Sequence, residues 1–480
     1  MEWHADIIRF WPPFIAIIHL VAALVASAHA LLHKRDARAA TLWLGFIWFM
    51  PVLGTIFYFV LGINRIRRQA LLLKVHNTVN RPVSGNWGEP ESEDAKHLAL
   101  LAKVVGQVVT QPLQAGNKIQ PFVDGDEAFP AMLAAIESAQ KSISFVTYIF
   151  DNDSAGKQFV AAFQKAVKRG VNVRVLVDAA GTRYSFPSIL HPLKHAGIPT
   201  ARFLPSSLLS PWRVATINLR NHRKIMVVDG VMAFTGGMNI RQGNLLKSHP
   251  RSPVRDLQFR VEGPVVTRLQ EAFVNDWAFT TKEILDGVNW FPEVPEAGDL
   301  VTRVITDGPD IDFEKLRWTL MAALSEARTS IQILTPYFLP DQAVIATINL
   351  AILRGVRVDI VLPAKNNLPF VHWASRAMWW QLLERGAHIW LTPPPFDHSK
   401  LMVVDDHWVL FGSANWDTRS LRLNFELNVE SYGKEFACTM RTILQQKLQG
   451  AHEVTLAEVD ARTVPGKLRD AVARLFSPFL

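Results

Sequence analysis

His222-Arg223-Lys224-Ile225-Met226-Val227-Val228-Asp229 and His398-Ser399-Lys400-Leu401-Met402-Val403-Val404-Asp405 spell one pattern twice: a histidine, a lysine two residues on, four apolar residues and an aspartate. Gly236-Gly237-Met238-Asn239 follows the first copy and Gly412-Ser413-Ala414-Asn415 the second. His, Lys, Asp, Gly and Asn therefore recur at a constant offset of 176. The repeat extends outward from these octets. Met132 to Lys141 has helical spacing and leads into a strand-like run, Ser142 to Phe150; Leu320 to Thr329 leads likewise into Ser330 to Phe338. In both copies a glycine, Gly170 or Gly355, ends a further helix and a β-branched run follows. Strand, helix and strand in each copy predict an α/β fold of two related halves.

The spacing has chemical meaning. Residues i and i+2 share one face of a strand, so His222 projects with Lys224 and His398 with Lys400. Asp229-Gly230 is a hairpin turn signal. It places the aspartate up to roughly 23 Å from its histidine at ~3.3 Å per residue. Asp229 and Asp405 are therefore expected to anchor hairpins rather than to orient the imidazoles. Gly236 and Gly412 permit a tight return that brings Asn239 and Asn415 back to the His–Lys end. A working imidazole needs a carboxylate on its other ring nitrogen. Asp256 and Glu426, about thirty residues after the histidine in each copy, are the candidates. Two histidines, two lysines and two asparagines suit a phosphodiester: one imidazole attacks phosphorus, the other protonates the departing oxygen, and the remaining donors hold the non-bridging oxygens. A metal site is not expected, since lysine is not a usual ligand and no Cys or carboxylate cluster accompanies the histidines.

The N-terminal segment bears on the partner. Phe14–Leu32 is an uncharged run of 19 residues and Ala39–Ile63 one of 25. About 20 apolar residues span a bilayer as a helix, so a transmembrane hairpin is expected over residues 1–70. A cleaved leader ending at Ala28-His29-Ala30 fits poorly, because Glu2 and Asp6 outnumber Arg9 before the apolar run. Lys34, Arg35 and Arg38 lie on one side of the second run and Arg65, Arg67 and Arg68 on the other, so charge leaves the orientation open. The polar segment with Pro82, Gly85, Gly88 and Pro90 reads as a linker. The expected division is hairpin 1–70, linker 71–116, first half 117–295 and second half 296–480.

Composition narrows the classes. The chain of 480 residues is 49% hydrophobic, which excludes intrinsic disorder, and its single cysteine, Cys438, excludes a disulfide framework. A formal charge of +8 favours anionic partners, nucleic acid or acidic lipid.

At the doubled motif the chain resembles the phospholipase D superfamily, and within it the bacterial cardiolipin synthases of the two-transmembrane type. Arg220-Asn221-His222-Arg223-Lys224, Gly237-Met238-Asn239-Ile240 and Gly412 to Glu426 carry the resemblance. So do Pro51-Val52-Leu53-Gly54, Tyr58 and Gly62 near the start and Leu475 to Leu480 at the end. Val254 departs from it, since many relatives have Trp there. The resemblance implies two α/β halves sharing one active site, with His222 as nucleophile and His398 as general acid/base. Lys224, Lys400, Asp229 and Asp405 complete the catalytic set, with Asn239, Asn415 and Ser413 holding substrate. It further implies transfer of a phosphatidyl group between two phosphatidylglycerols, giving cardiolipin and glycerol. No cofactor is required, because a diester is exchanged for a diester. The partners expected are membrane phospholipids and not nucleic acid, with the protein integral and multi-pass in a bacterial inner membrane. A hydrolytic phospholipase D, a membrane-tethered nuclease and a non-catalytic lipid-binding scaffold are the rival classes. Leu204–Trp212 and Lys467–Leu480 are candidate lipid-contacting segments.

Overall fold

The computed structural model describes residues 2–34, 37–62, 93–205 and 219–477. The expected basic cluster at Arg65–Arg68 and most of the segment Leu204–Trp212 lie outside the described residues. Residues 2–62 form one compact unit and the described residues from 93 onward belong to another.

In the N-terminal unit, α1 (Glu2–His33) packs beside α2 (Ala37–Phe49) and α3 (Pro51–Phe57), which runs on as a wider turn over Tyr58–Gly62. Ala23, Ala26 and Ala30 let the helices approach, with Ile47 and Tyr58 buried against them. Two polar links cross the contact: Trp48 Nε1 donates to Ser27 Oγ at 3.1 Å, and His29 Nδ1 lies 2.7 Å from Tyr58 OH. Phe14–His33 is long and apolar enough to cross a membrane, with mean hydropathy 2.3. The run expected as a second unbroken span, Ala39–Ile63, is interrupted. Met50 leaves helical geometry (φ −126°, ψ 72°), and Pro51, which lacks an N–H, restarts the chain as the first residue of α3.

The larger unit is built on a continuous path of paired strands. In the first half these are β1 (Gln114–Val123), β2 (Ser142–Thr147), β3 (Asn172–Asp178), β4 (Thr200–Phe203), β5 (Ile225–Val228), β6 (Met232–Gly236) and β7 (Leu257–Glu262). The second half contributes β8 (Leu300–Asp307), β9 (Ser330–Leu334), β10 (Arg357–Pro363), β11 (His388–Thr392), β12 (Leu401–Val404), β13 (Trp408–Gly412), β14 (Asn424–Tyr432) and β15 (His452–Val454). The spatial order is β15-β11-β10-β9-β12-β13-β14-β8-β1-β7-β6-β5-β2-β3-β4. Read outward from the centre, β1-β7-β6-β5-β2-β3-β4 repeats as β8-β14-β13-β12-β9-β10-β11, and β15 is added at one edge. The halves join where β1 pairs antiparallel with β8, Gln114 opposite Thr302 and Asn117 opposite Leu300.

Each half has its own apolar core. Phe129, Phe145, Phe159, Phe163 and Phe234 centre the first; Leu320, Ile333, Ile348, Ile360 and Trp408 belong to the second. Of the expected linker, 71–116, residues 71–92 lie outside the described residues, and the part from Glu93 onward differs from the expectation. From Glu93 it turns into α4 (Ala99–Val109), whose Leu101, Val105 and Val109, with Leu98, are buried in the second half's core beside Leu316, Leu320 and Leu324 of α5 (Lys315–Glu326). The reason is periodicity: these apolar positions fall on one helical stripe, and each buried Leu or Val adds about 1.5–3 kcal/mol. The polar residues before Glu93 had set the expectation for the whole stretch. β1 begins at Gln114, inside the range assigned to the linker.

Candidate active site

Two short parallel pairs bring the motifs together. Arg220–Asn221 lies along Asn424–Phe425, and Phe396–Asp397 lies along Val254–Arg255. The backbone N–H of His222 consequently donates to Phe425 O at 2.9 Å, and that of His398 to Arg255 O at 2.8 Å. Each histidine is thus pinned to the opposite half, and the next residue along that partner strand is a carboxylate. His222 Nδ1 lies 3.0 Å from Glu426 Oε2, and His398 Nδ1 lies 2.8 Å from Asp256 Oδ2. The carboxylates are exchanged: each lies against the ring of the half to which it does not belong.

The lysines sit beneath the rings. Lys224 Nζ donates to His222 O at 2.5 Å and lies 5.6 Å from the Tyr148 ring centre. Lys400 Nζ donates to His398 O and lies 3.0 Å from His398 Nδ1. Tyr148 and Tyr337 pack edge-on against His222 and His398, with centroids 5.0 and 6.2 Å apart. Sequence reasoning missed this pair. The signal was present, since Thr147-Tyr148 and Thr335-Pro336-Tyr337 end corresponding strands β2 and β9.

Asn239 Oδ1 accepts from the backbone N–H of Ile149 at 3.0 Å, which leaves its amide donors to the cavity. Asn415 Nδ2 donates to Ser420 Oγ at 3.2 Å, and its buried Oδ1 has no partner among the described residues. Ser413, expected to touch substrate, instead lies beneath the cavity. Its hydroxyl donates to Glu426 Oε2 at 2.5 Å. It does not line the cavity, because the tight return at Gly412 turns it under β14, where a Cβ on Gly412 would meet Leu427 O at 2.3 Å.

The two aspartates of the motif stand far from the rings, at the distal ends of β5 and β12. Both adopt left-handed backbone geometry (φ 52° and 50°). Asp229 accepts from the backbone N–H of Gln140, Lys141 and Ser142 at 2.9, 2.7 and 2.9 Å. Asp405 accepts from Arg328, Thr329 and Ser330 N–H at 2.8, 2.8 and 2.9 Å, and from the Thr329 hydroxyl; His97 Nε2 lies 2.8 Å away.

Burial dominates the electrostatics. It lowers His222 to about 4, with Lys224 and Lys400 adding to the effect and Glu426 opposing it, and drives His398 well below its usual range. Burial thus favours the neutral form of both imidazoles, the form in which a ring nitrogen can attack or accept a proton. Burial brings Lys224 to about 7 and Lys400 to about 8. It raises Asp256 to about 7. Glu426 goes the other way: burial pushes it up, but His222, Lys224 and the Ser413 hydroxyl outweigh that and hold it below the usual carboxylate range.

The two rings open on a cavity of about 720 Å³. Arg220, Arg241 and Arg419 line part of its wall, and Leu368, Pro369, Phe370 and Phe396 another part. Val254 also reaches the wall. Among the described residues no group of three or more His, Cys, Asp or Glu side chains is placed to hold a metal ion.

The profile of the family described as "Cardiolipin synthase, PLD-like domain" matches residues 132–277 and 320–448, once in each half. A second profile, "Phospholipase_D-nuclease N-terminal", matches residues 15–62. These matches set the class as phospholipase D-like. The Staphylococcus aureus protein named cardiolipin synthase is 31% identical over 469 residues, covering 95% of this chain and 94% of its own. Cardiolipin synthase A of Pseudomonas fluorescens is 32% identical over 475 residues, covering 97% and 98%. The chain belongs to the bacterial cardiolipin synthase family of the phospholipase D superfamily. Among solved structures, phosphatidylserine synthase of Haemophilus influenzae has the same fold, with a TM-score of 0.61 at 14% identity over 79% of this chain and 100% of that one.

Proposed function

We propose that this chain is a phosphatidyltransferase that makes cardiolipin from two molecules of phosphatidylglycerol, and that its two halves share one active site. The observation that carries the reading is the exchange of carboxylates between halves around a single cavity. His222, with Glu426 on Nδ1, attacks phosphorus through Nε2. The bond from phosphorus to the headgroup glycerol breaks, and His398, which enters this step in its protonated form, supplies the proton that glycerol takes away and is left neutral. A hydroxyl of the second phosphatidylglycerol then gives its proton to His398 and attacks the phosphohistidine. The P–N bond breaks and His222 is restored. Lys224, Lys400, Asn239 and Asn415 donate to the non-bridging oxygens while charge builds on them. Asp229 and Asp405 hold the motif hairpins in place. Arg220 and Arg419 supply positive charge for the phosphate of the acceptor lipid, which lies one glycerol length from the reacting phosphorus.

The N-terminal unit serves as the membrane anchor. In this reading α1 spans the bilayer and the interrupted α2–α3 segment returns through it, so the protein is integral and multi-pass in the bacterial inner membrane. The experiment is purified protein in liposomes of phosphatidylglycerol, with lipid products separated and identified. Cardiolipin and glycerol in equal amounts are expected, with no dependence on added metal or chelator. Phosphatidic acid as the sole lipid product would establish a hydrolase instead.

A further inference from the structure

The last helix, α7 (Val464–Leu475), is turned the opposite way from an ordinary surface helix. Its one acidic residue, Asp470, is buried and held by Arg376 Nε at 2.7 Å, by Arg469 Nη2 at 2.9 Å and by Arg462. Its large apolar residues face outward: Val464, Leu468 and Leu475 are 77%, 64% and 72% exposed, with Val472 and the following Phe476 beside them. They recur at i, i+4, i+8 and i+11, a single stripe. Lys467 and Arg474 flank that stripe on one side and Arg469, stacked 4.4 Å over Trp373, on the other. Monomeric soluble proteins rarely leave such a contiguous apolar face open.

The face is continuous with the cavity. α7 packs on α6 (Pro369–Arg376), and the Phe370 ring lies 5.6 Å from Phe476. Phe370 and Leu368 are themselves exposed, and the same residues, with Pro369 and Val371, line the cavity that holds both histidines. We propose that the outer face of α7, with the α6 rim, docks on an anionic lipid bilayer and sets the cavity mouth against its headgroups. The inference rests on the lipid-substrate reading above. The charges choose the occupant. A second copy on this face would bring Lys467, Arg469 and Arg474 against their own kind, whereas anionic headgroups neutralise them while the apolar stripe enters the acyl boundary.

The test uses the full chain with Cys438→Ser and a single fluorescent label at Leu468→Cys, reconstituted in phosphatidylglycerol vesicles. Strong quenching by a lipid-borne nitroxide at shallow depth, with protection from aqueous iodide, is expected. A label open to iodide and indifferent to the nitroxide overturns the proposal. Shielding from both quenchers also overturns it and indicates a protein on this face. As a second arm, Leu468→Glu combined with Val472→Glu should lower the ratio of turnover on bilayers to turnover on dispersed short-chain phosphatidylglycerol at least tenfold. An unchanged ratio with native circular dichroism speaks against docking. Product analysis on the same vesicles separates the two readings: a quenched label without cardiolipin retires the synthase and keeps the docking, and cardiolipin with an open label does the reverse.

Discussion

The second half gives His222 a glutamate, Glu426, that also accepts from Ser413 at 2.5 Å and from Asn424 at 3.0 Å. The first half gives His398 an aspartate, Asp256, whose further support is the backbone N–H of Leu257 at 2.8 Å. Where Ser413 stands in one half the other has Gly237, and a Cβ there would meet Asp256 Oδ1 at 2.3 Å. Two halves of one topology have thus acquired different electrostatics. Glu426 stays ionised across the neutral range, which suits a ring that becomes positively charged as phosphohistidine. Asp256, raised to about 7 by burial, titrates where proton transfer has to be reversible. The difference supports His222 as the nucleophile, an order that the symmetric motif alone does not give.

The strongest way to break the comparison is to remove each ring in turn. With a donor whose leaving group is an activated phenolate, His398→Ala is expected to form a phosphatidyl adduct and His222→Ala none. The measurement is mass spectrometry after quenching in mild alkali. An adduct on His398 in the unaltered protein would reverse the order of the halves. Next in size are the carboxylates. Glu426→Gln should cut kcat by about 10²–10⁴, the range for losing an imidazole's orienting partner or a general base. Asp256→Asn acts on the pH profile as well. Below about pH 7 Asp256 takes up a proton and ceases to accept from His398, so activity falls on the acid side; as pH rises past about 7 and then about 8, Lys224 and Lys400 lose their charges in turn and activity falls again. Asp256→Asn should abolish the acid limb at that pH, and a limb that persists there assigns it elsewhere.

A smaller effect sharpens the contrast. Ser413→Gly, which copies the first half into the second, removes one hydrogen bond to a buried carboxylate, and roughly a tenfold or larger loss of kcat follows from about 1.5–3 kcal/mol. The smallest effects concern stability. Asp405→Ala should lower it by about 2–4 kcal/mol, and Asp229→Ala by about 1–3, because each holds three backbone N–H groups of its own half and Asp405 in addition holds Thr329 Oγ1 and His97. Thermal unfolding of the pair measures the difference.

The repeat made the doubled fold legible, because the succession of strand, helix and strand follows from apolar runs and turn glycines that recur locally. The carboxylates were legible as candidates through their strand-like surroundings. Their exchange was not, since the pairing of Asn221 with Phe425 spans more than two hundred residues and leaves no local trace. Ser413 was read as a ligand because its neighbours Gly412 and Asn415 belong to the motif; only the close approach of β13 to β14 shows that it faces Glu426. The helix over Ala99–Val109 was missed although its stripe was visible, because the proline- and glycine-bearing residues before it set the character of the whole stretch. Met50-Pro51 carried the break in the second apolar run, but hydropathy counts residues and does not weigh a missing N–H.

The exchange of carboxylates also bears on how such a chain can be divided or descended. Severed in the irregular stretch between Lys282 and Asp299, either fragment would hold an imidazole with a bare Nδ1 and an acid with no ring to steady. Neither fragment could work alone, yet the two mixed could complement one another. An ancestor half this length would have met the same requirement by pairing with a copy of itself about a two-fold axis, each lending its acid to the other. If the two halves share one site as proposed, the smallest competent unit of this chemistry is a couple, and a single polypeptide makes that couple permanent.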